Sequence, residues 1–297
     1  KELVAENCCC RTLVLLDKYN MLLKEKVKES VDFLDPIITE KPKVAIVLGS
    51  GLGDFVDAVE NPITIPTADI PHYPVSTVPG HLGRWVIGDI HGVRTLCIQG
   101  RVHYYEGYPL QKISYYVYLL AGLGVKTLII TTACGGLNPE YKPGDLMLMT
   151  DQINFAFNNP LIGPPEDQLG PRFPDMSKPF DAELLEIAER VGVENDVKVR
   201  KGVYCWMTGP NYESAAEVKM LRNLGGDAVS MSTAPEVIVA RQRHMRVLGI
   251  SLITNLATGL ADGPLTHEEV TEIAAQSGQR MTTLLQEIVR NIPTVTI

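Results

Sequence analysis

The sequence has no run of roughly 18 consecutive apolar residues, the length that a helix needs to cross a membrane. Its first six residues do not show the charged and then apolar profile of a signal peptide. Basic residues are outnumbered, because 27 Lys and Arg face 35 Asp and Glu, giving a net charge of −8. This charge disfavours general binding to nucleic acids or anionic membranes. We therefore expect neither a nucleic acid nor a membrane as a partner.

The six cysteines lack the spacing of a disulfide framework. Three are contiguous at positions 8–10, and Cys97, Cys134 and Cys205 each lie alone within an apolar segment. There is no Cys-x-x-Cys pair, which argues against a structural zinc site. The pattern predicts buried free thiols in a reducing cytoplasm and no bound metal. It indicates no role for the cysteines at 8–10.

The composition is that of a globular protein, with 297 residues of which 45% are hydrophobic and 21% are charged. From Lys43 onwards, strand-like and helix-like segments alternate with no break in composition and no repeat. We predict one α/β domain over residues 41–297, with a mixed, mostly parallel central sheet surrounded by helices. Residues 1–40 are predicted to form an N-terminal extension and a leading helix over 11–34.

The first strong strand, Val44–Leu48, runs directly into three alternate glycines at positions 49, 51 and 53. Helical spacing from Phe55 onwards predicts a helix after this turn. A strand, a glycine turn and a helix present backbone N–H groups and a positive helix end, which suit an anion. Ser50 adds a hydroxyl. Because many such turns bind nothing, the motif alone leaves anion binding open.

The turn departs from both common nucleotide-binding motifs. The dinucleotide fingerprint has its third glycine three positions after the second, and Asp54 occupies that place. No acidic residue follows about 20 residues later in an obvious second strand. The Gly-Lys-Ser/Thr of a P-loop is also missing. A small anion suits this turn better than a dinucleotide, so a nicotinamide-dependent oxidoreductase is disfavoured.

Further candidate residues follow later strands. Arg101, His103 and Tyr105 alternate, so an extended chain places them on one face as an oxyanion site, with a solvated loop as the alternative. The strand over 126–136 ends in small residues and two glycines, which predicts a shared site at the carboxyl edge of the sheet. Residues 154–181 are rich in Asn, Pro and Gly, typical of a functional loop or an interface.

Two later turns open predicted helices. Glu213 is predicted in the first turn of one helix, where it is either a cap or a ligand of the site. Thr233 and Glu236 have the spacing of a capping box, and Ser232 before them carries a hydroxyl that can hold an anion. Asn255 lies at the carboxyl end of the following strand.

Seven segments in this order resemble the trimeric purine nucleoside phosphorylases, within the nucleoside phosphorylase family that includes methylthioadenosine phosphorylase. The segments are Gly49-Ser-Gly-Leu-Gly53, Val78-Pro-Gly-His81, Gly100-Arg-x-His-x-Tyr-Glu-Gly-Tyr108, Gly135-Gly-Leu-Asn138, Gly209-Pro-Asn-Tyr-Glu213, Met231-Ser-Thr-x-Pro-Glu-Val-Ile-Val-Ala-Arg241 and Ser251-Leu-Ile-Thr-Asn255. The resemblance covers nearly all of residues 41–292. It implies phosphorolysis of inosine, guanosine and their deoxy forms to a free purine and (deoxy)ribose 1-phosphate. It also implies a cytoplasmic homotrimer in purine salvage, with phosphate as co-substrate and no cofactor.

The same resemblance implies roles for individual residues. The implied phosphate ligands are Ser50, His81, Arg101, His103, the backbone N–H of Ala133, and Ser232. The implied ribose contacts are Tyr105, Met231 and His267. The implied purine contacts are Tyr212, Glu213 and Asn255. The implied catalytic residues are His103, Glu213 and Asn255, and Phe173 is the implied contact with a neighbouring subunit's site.

Two departures from the family pattern leave an alternative open. Thr132 stands where the family usually has Asn, and residues 131–135 are similar to methylthioadenosine phosphorylases. Those enzymes typically carry Asp at the position of Asn255, and an asparagine there favours 6-oxopurines. The segment 256–266 also differs from vertebrate members. Methylthioadenosine phosphorylase is the near alternative, and a non-catalytic nucleoside-binding protein is the distant one.

Overall fold

The computed structural model describes residues 21–78, 80–260 and 267–292, with residues 267–271 described by their backbone alone. The predictions about the cysteines at 8–10 and about residues 11–20 of the leading helix lie outside the described residues. The segment 261–266 and the side chain of His267 lie outside them as well.

Nine strands form one sheet in the described part of the chain. They are β1 (Val44–Leu48), β2 (Glu60–Pro66), β3 (Arg84–Ile90), β4 (Val93–Gln99), β5 (Thr127–Gly136), β6 (Leu146–Asn154), β7 (Val199–Trp206), β8 (Ala228–Ser230) and β9 (Arg246–Leu256). Their order is β2-β3-β4-β1-β5-β8-β7-β6-β9. The pairings β1–β4, β1–β5, β5–β9, β6–β7 and β7–β8 are parallel, and the other four are antiparallel. The predicted mixed, mostly parallel sheet is confirmed.

The sheet closes on itself around β5. This strand pairs with β1, β8 and β9, and β9 pairs in turn with β6. Strands β5, β8, β7, β6 and β9 therefore form a ring, from which β1 and β2–β4 extend. The long register between β5 and β9 places Gly135 opposite Asn255. This closure brings the carboxyl ends of distant strands to one place.

Helices cover the sheet. They are α1 (Leu23–Leu34), α2 (Leu110–Ile113), α3 (Tyr115–Gly122), α4 (Ala182–Glu194), α5 (Ala215–Asn223), α6 (Ala234–Gln242) and α7 (His267–Asn291). α7 buries an apolar face, which includes Ala274, Met281, Leu284, Leu285 and Ile288. Among the helices described here, none has the length and apolar content required to span a membrane.

Two apolar cores lie on opposite sides of the sheet, and β1 contributes side chains to both of them. Ala45 and Val47 pack in one core, whereas Val44, Ile46 and Leu48 pack in the other. Each of the five side chains is at most 1% exposed. Full burial of an aliphatic side chain contributes about 1.5–3 kcal/mol, so this strand anchors the turn that follows it. The predicted buried strand is confirmed.

Two helical segments are short or interrupted, and one of them is the helix predicted after the glycine turn. The glycine turn leads into a 3₁₀ helix, Gly53–Ala58, because β2 already begins at Glu60 and leaves no room for an α-helix. The helical segment over residues 110–122 is interrupted at Ser114, whose hydroxyl donates to the carbonyl of Leu110 at 2.8 Å. Such a side-chain bond competes with regular helix geometry.

The predicted long loop is confirmed and is tied to the leading helix. Residues 155–181 contain one 3₁₀ turn, Asp167–Leu169, and no α-helix or strand. The carboxylate of Glu166 accepts the N–H groups of Leu23 (3.2 Å) and Lys24 (2.8 Å) at the start of α1. Because the first N–H groups of a helix have no partner within it, this carboxylate caps α1.

Candidate active site

A cavity of about 560 Å³ lies where the ends of β1, β5, β8 and β9 meet. The structure brings ten of the predicted site residues to its walls: Ser50, Arg101, His103, Tyr105, Ala133, Tyr212, Glu213, Met231, Ser232 and Asn255. A cavity of this size, with a few converging polar groups, suits a small-molecule substrate.

The glycine turn after β1 is held against β5. A Cβ atom at Gly49 would lie 2.8 Å from the carbonyl oxygen of Thr131, so only glycine permits this approach. The N–H of Gly49 donates to the Thr131 hydroxyl (3.0 Å), which itself donates to the carbonyl of Val47 (2.8 Å). Gly51 has a φ of +74°, which glycine adopts without strain. The turn thus presents Ser50 to the cavity.

The guanidinium of Arg101 forms one wall of the cavity, with its side chain only 2% exposed. Its Nη1 donates to the hydroxyl of Ser232 (3.1 Å), and its Nη2 donates to the carbonyl of Thr131. The Thr132 hydroxyl lies 3.3 Å from Ser232 Oγ and adds a donor. A buried cation among hydroxyl groups and backbone N–H groups is suited to an oxyanion.

The capping box predicted for Thr233 and Glu236 is wrong. Thr233 has a φ of +77°, and its side chain makes no capping hydrogen bond to α6. The Glu236 carboxylate is fully buried and lies 3.5 Å from Arg101 Nη1. The physical reason is that a buried guanidinium needs a counter-charge, which outweighs one cap at the helix start.

His81 does not line the cavity but lies beside it, with its ring 5.3 Å from that of His103. Its Nδ1 is 2.7 Å from the carbonyl oxygen of Arg101 and 3.2 Å from the N–H of Arg101, and the shorter contact, with an atom that can only accept, favours a proton on Nδ1. Burial lowers the pKa of His81 to about 4. The ring is therefore neutral at pH 7, and its Nε2 can accept from the Ser50 hydroxyl at 3.4 Å.

Glu106 joins two segments of the site. Its carboxylate accepts the backbone N–H groups of His103 and Thr77, each at 2.6 Å, and the Thr77 hydroxyl at 2.8 Å. Burial alone would raise the pKa of Glu106, but the contact with His103 Nδ1 (3.2 Å) and these hydrogen bonds outweigh it and lower the pKa to about 2. The His103 ring stacks on Tyr105 with centroids 4.9 Å apart. Glu106 thus fixes the loop before His81 against the His103 segment.

Glu213 faces the cavity and does not cap a helix. α5 begins at Ala215, and its cap is formed by Ser214 with Glu217, so the capping interpretation of Glu213 is wrong. The reason is that Ser214 is the better N-cap, so the helix begins two residues after Glu213. Glu213 is 8% exposed, and burial raises its pKa. A buried carboxylate with little compensation is ready to accept N–H groups from a ligand.

The amide of Asn255 has a fixed orientation. Its Oδ1 accepts the hydroxyl of Thr254 (2.9 Å), and its Nδ2 donates to the carbonyl of Leu256 (3.1 Å). Because an amide nitrogen carries two hydrogens, one N–H remains for a ligand in the cavity.

Comparison with known proteins agrees with this geometry. Residues 43–290 match the protein family described as the Phosphorylase superfamily. The chain is 47% identical to purine nucleoside phosphorylase 1 of Bacillus subtilis over 267 residues, which cover 90% of this chain and 98% of that one. It is 42% identical to the purine nucleoside phosphorylase of Bos taurus, covering 91% and 96% of the two chains. The chain belongs to the purine nucleoside phosphorylase family.

The fold places the chain in the same family. The crystal structure of Schistosoma mansoni purine nucleoside phosphorylase in complex with inosine superposes with a TM-score of 0.86 at 36% identity, covering 91% of this chain and 97% of that one. The predicted nucleoside phosphorylase fold is confirmed.

Sequence reasoning missed several groups of this phosphorylase site. Thr132 and Ser230 also line the cavity, with their hydroxyl oxygens 3.5 Å apart. Glu106 lies three residues after His103, which is the spacing of a capping box, and this spacing could have predicted their contact. The sequence near Glu236 contains no such signal for its inward orientation, because this orientation depends on Arg101, 135 residues away.

Phe173 is separate from the cavity of its own chain. It is 88% exposed and lines a second cavity of about 510 Å³, together with Leu161, Ile162 and Met176.

The lowered pKa of His81 predicts a pH-dependent stability. His81 takes up a proton with a pKa of about 4 in the folded state and 6.5 in the unfolded state. The contribution of neutral His81 to the free energy of unfolding is therefore complete above pH 6.5 and decreases as the pH drops towards 4. His81→Asn keeps the N–H donor to Arg101 and cannot be protonated. Between pH 7 and 4.5, the wild type should lose about 2.5 kcal/mol more unfolding free energy than the variant, measured by urea denaturation. Equal losses would contradict the neutral His81.

Proposed function

We propose that this enzyme cleaves 6-oxopurine nucleosides such as inosine and guanosine, and their deoxy forms, with inorganic phosphate. The products are the free purine and (deoxy)ribose 1-phosphate. The proposal is based on one cavity that is lined by two different sets of polar side chains. Arg101 and Ser232 suit a phosphate, whereas the buried carboxylate of Glu213 and the amide of Asn255 suit the polar edge of an oxopurine. Schistosoma mansoni purine nucleoside phosphorylase has been solved with inosine and with adenosine, which supports a purine nucleoside as the substrate.

Phosphate occupies the end of the cavity that contains the cation. Its proposed ligands are Ser50, Arg101, His103, the N–H of Ala133, and Ser232, with His81 nearby. Because His81 is neutral at pH 7, it adds no positive charge to this end of the cavity. Arg101 thus supplies the main positive charge against the phosphate. The reaction uses phosphate as a co-substrate and requires neither a resident cofactor nor a metal.

The chemical step transfers the ribosyl group from purine to phosphate. A phosphate oxygen bonds to the anomeric carbon while the carbon–nitrogen bond to the purine breaks, and the electron pair of that bond goes to the purine. The sugar passes through a cationic, oxocarbenium-like state. The adjacent phosphate stabilises this cation, and the purine is released after taking up a proton.

The purine end of the cavity stabilises the leaving base. The Glu213 carboxylate accepts N–H groups of a 6-oxopurine. Asn255 interacts with N7, and this contact strengthens as negative charge develops on the purine. Tyr212 packs on the base. Tyr105, Met231 and His267 line the ribose in this proposal.

The active unit in this proposal is a homotrimer. Phe173 is largely exposed and lies apart from the cavity of its own chain, as a residue that reaches a neighbouring subunit's site would. The exposed apolar side chains Phe157 (82%) and Ile162 (63%) belong to the same long loop. Apolar surface of this kind is typical of a contact between subunits.

The proposed setting is purine salvage in the cytoplasm. Cys97, Cys134 and Cys205 are buried free thiols, which supports a reducing compartment. Burial raises the pKa of each to about 12, so they are unreactive at neutral pH.

The experiment that tests the function is phosphate-dependent release of hypoxanthine from inosine, compared with the release of adenine from methylthioadenosine. The relatives compared above are purine nucleoside phosphorylases, which does not favour the methylthioadenosine alternative. We expect inosine to be preferred and cleavage to require phosphate. A strong preference for methylthioadenosine would reject the proposal.

Removal of the Glu213 carboxylate should impair catalysis rather than folding. Glu213→Ala should lower kcat/KM for inosine by about 100-fold, since hydrogen bonds to a charged group contribute about 1.5–3 kcal/mol. The matched control is Glu217→Ala, which removes the partner of Ser214 in the α5 cap. It should lower the free energy of unfolding by about 1 kcal/mol and keep kcat/KM. If both variants lose only stability, Glu213 does not bind the base.

Asn255 is expected to set the preference between 6-oxopurines and 6-aminopurines. In Asn255→Asp, the carboxylate accepts from a protonated N7 or an amino group, so the ratio of kcat/KM for adenosine to inosine should rise about tenfold or more, or ~1.4 kcal/mol. Asn255→Ala is the control and should lower both activities without this shift. An unchanged ratio in Asn255→Asp would count against the assigned role.

A further inference from the structure

Glu236 is a buried acid that the proposed chemistry does not use. It lies in the first turn of α6, and its side chain is 0% exposed. Its Oε1 is 3.5 Å from Arg101 Nη1, whereas its Oε2 has no hydrogen-bond partner in the part of the chain that the structure describes. An ionised carboxylate in such surroundings is costly unless a nearby cation balances it.

Arg101 lies between this acid and the phosphate end of the cavity. The same nitrogen, Nη1, that approaches Glu236 also donates to the hydroxyl of Ser232, which lines the cavity. Nη2 is directed to the carbonyl of Thr131. The guanidinium is therefore held from several sides by acceptors of the protein, in an orientation that faces the cavity. A phosphate that binds there shares Arg101 with an anion that is already present.

The groups around Glu236 leave Arg101 as its counter-charge. Tyr116 in α3 is also buried, and its hydroxyl is directed at the Glu236 carboxylate, to which it can donate but to which it brings no charge. Burial raises the pKa of Tyr116, and the neighbouring Glu236 carboxylate raises it further, so the phenol stays neutral. Because a neutral phenol cannot balance an anion, the electrostatic balance of this region depends on the pair of Arg101 and Glu236.

We propose that Glu236 is a positioning residue of the phosphate site, an internal counter-ion that holds Arg101 ready for phosphate and shares its charge. This inference rests on the proposed phosphorolysis. It has two consequences. Arg101 is oriented before phosphate arrives, so little reorganisation is needed on binding. Because Arg101 shares its charge with Glu236, it binds phosphate and the phosphate ester product less tightly, so that both can dissociate.

The test is Glu236→Gln, which keeps an oxygen near Nη1 but removes the negative charge. We expect KM for phosphate to fall roughly threefold or more, because Arg101 is no longer shared with an anion. The inhibition constant of ribose 1-phosphate should fall in parallel, whereas KM for inosine should stay within about twofold. Inorganic phosphate should also raise Tm more in this variant than in the wild type, since phosphate then supplies the missing counter-charge.

Two further variants separate charge from packing. Glu236→Asp keeps the charge and should leave KM for phosphate closer to that of the wild type than Glu236→Gln does. Tyr118→Phe is the matched control, because it removes another buried polar contact between α3 and α6, the hydrogen bond from Tyr118 to Gln242, without reaching Arg101. It should not change KM for phosphate.

The proposal is overturned if Glu236→Gln leaves KM for phosphate unchanged or raises it, or if KM for phosphate and inosine change together. An unchanged Tm response to phosphate would overturn it as well. A different result would show that the proposed function itself is wrong. In that case the wild type would cleave inosine at the same rate with and without phosphate. That result would remove the phosphate site and this inference with it.

Discussion

Arg101 carries a full positive charge on a side chain that is 2% exposed, and the site depends on how the fold compensates this charge. The guanidinium is held by Glu236, by the hydroxyl of Ser232 and by the carbonyl of Thr131. These groups come from α6, the turn before it, and β5. A buried cation that is fixed from three directions keeps its orientation, so the proposed anion site needs little rearrangement to bind its ligand.

The closure of the sheet explains why these groups meet. β5 pairs with β1, β8 and β9, so the glycine turn after β1, the segment Thr131–Ala133 and the strand before Asn255 are neighbours in space. The close contact of Gly49 with Thr131 tightens this junction. The end of the cavity proposed for phosphate and the end proposed for the purine are therefore built on one set of strands, with loops such as that carrying Glu213 closing the sides.

Local patterns predicted the parts of the fold that depend on neighbours in sequence. The apolar run Val44–Leu48 and the glycine turn after it were predicted correctly, because each follows from short-range periodicity or turn chemistry. The resemblance of seven segments to one family implied a set of site residues, and ten of them line one cavity.

The features that the sequence did not predict depend on tertiary contacts. Glu236 has the spacing of a cap, and only the buried charge of Arg101, 135 residues earlier, draws it inward. Glu213 lies two residues before the helix because Ser214 competes for the cap. The ring formed by β5 and β9 joins strands that are far apart in the chain. Local propensity contains none of these long-range terms.

The central claim is that Arg101 forms the charge that binds inorganic phosphate, and calorimetric titration with phosphate tests it most directly. Arg101→Gln alone would leave Glu236 unpaired, so the comparison uses Glu236→Gln and the double variant Arg101→Gln/Glu236→Gln. The account predicts that the double variant binds phosphate at least about tenfold more weakly than Glu236→Gln, because a charged hydrogen bond contributes about 1.5–3 kcal/mol. Equal affinity of the two variants for phosphate would contradict it.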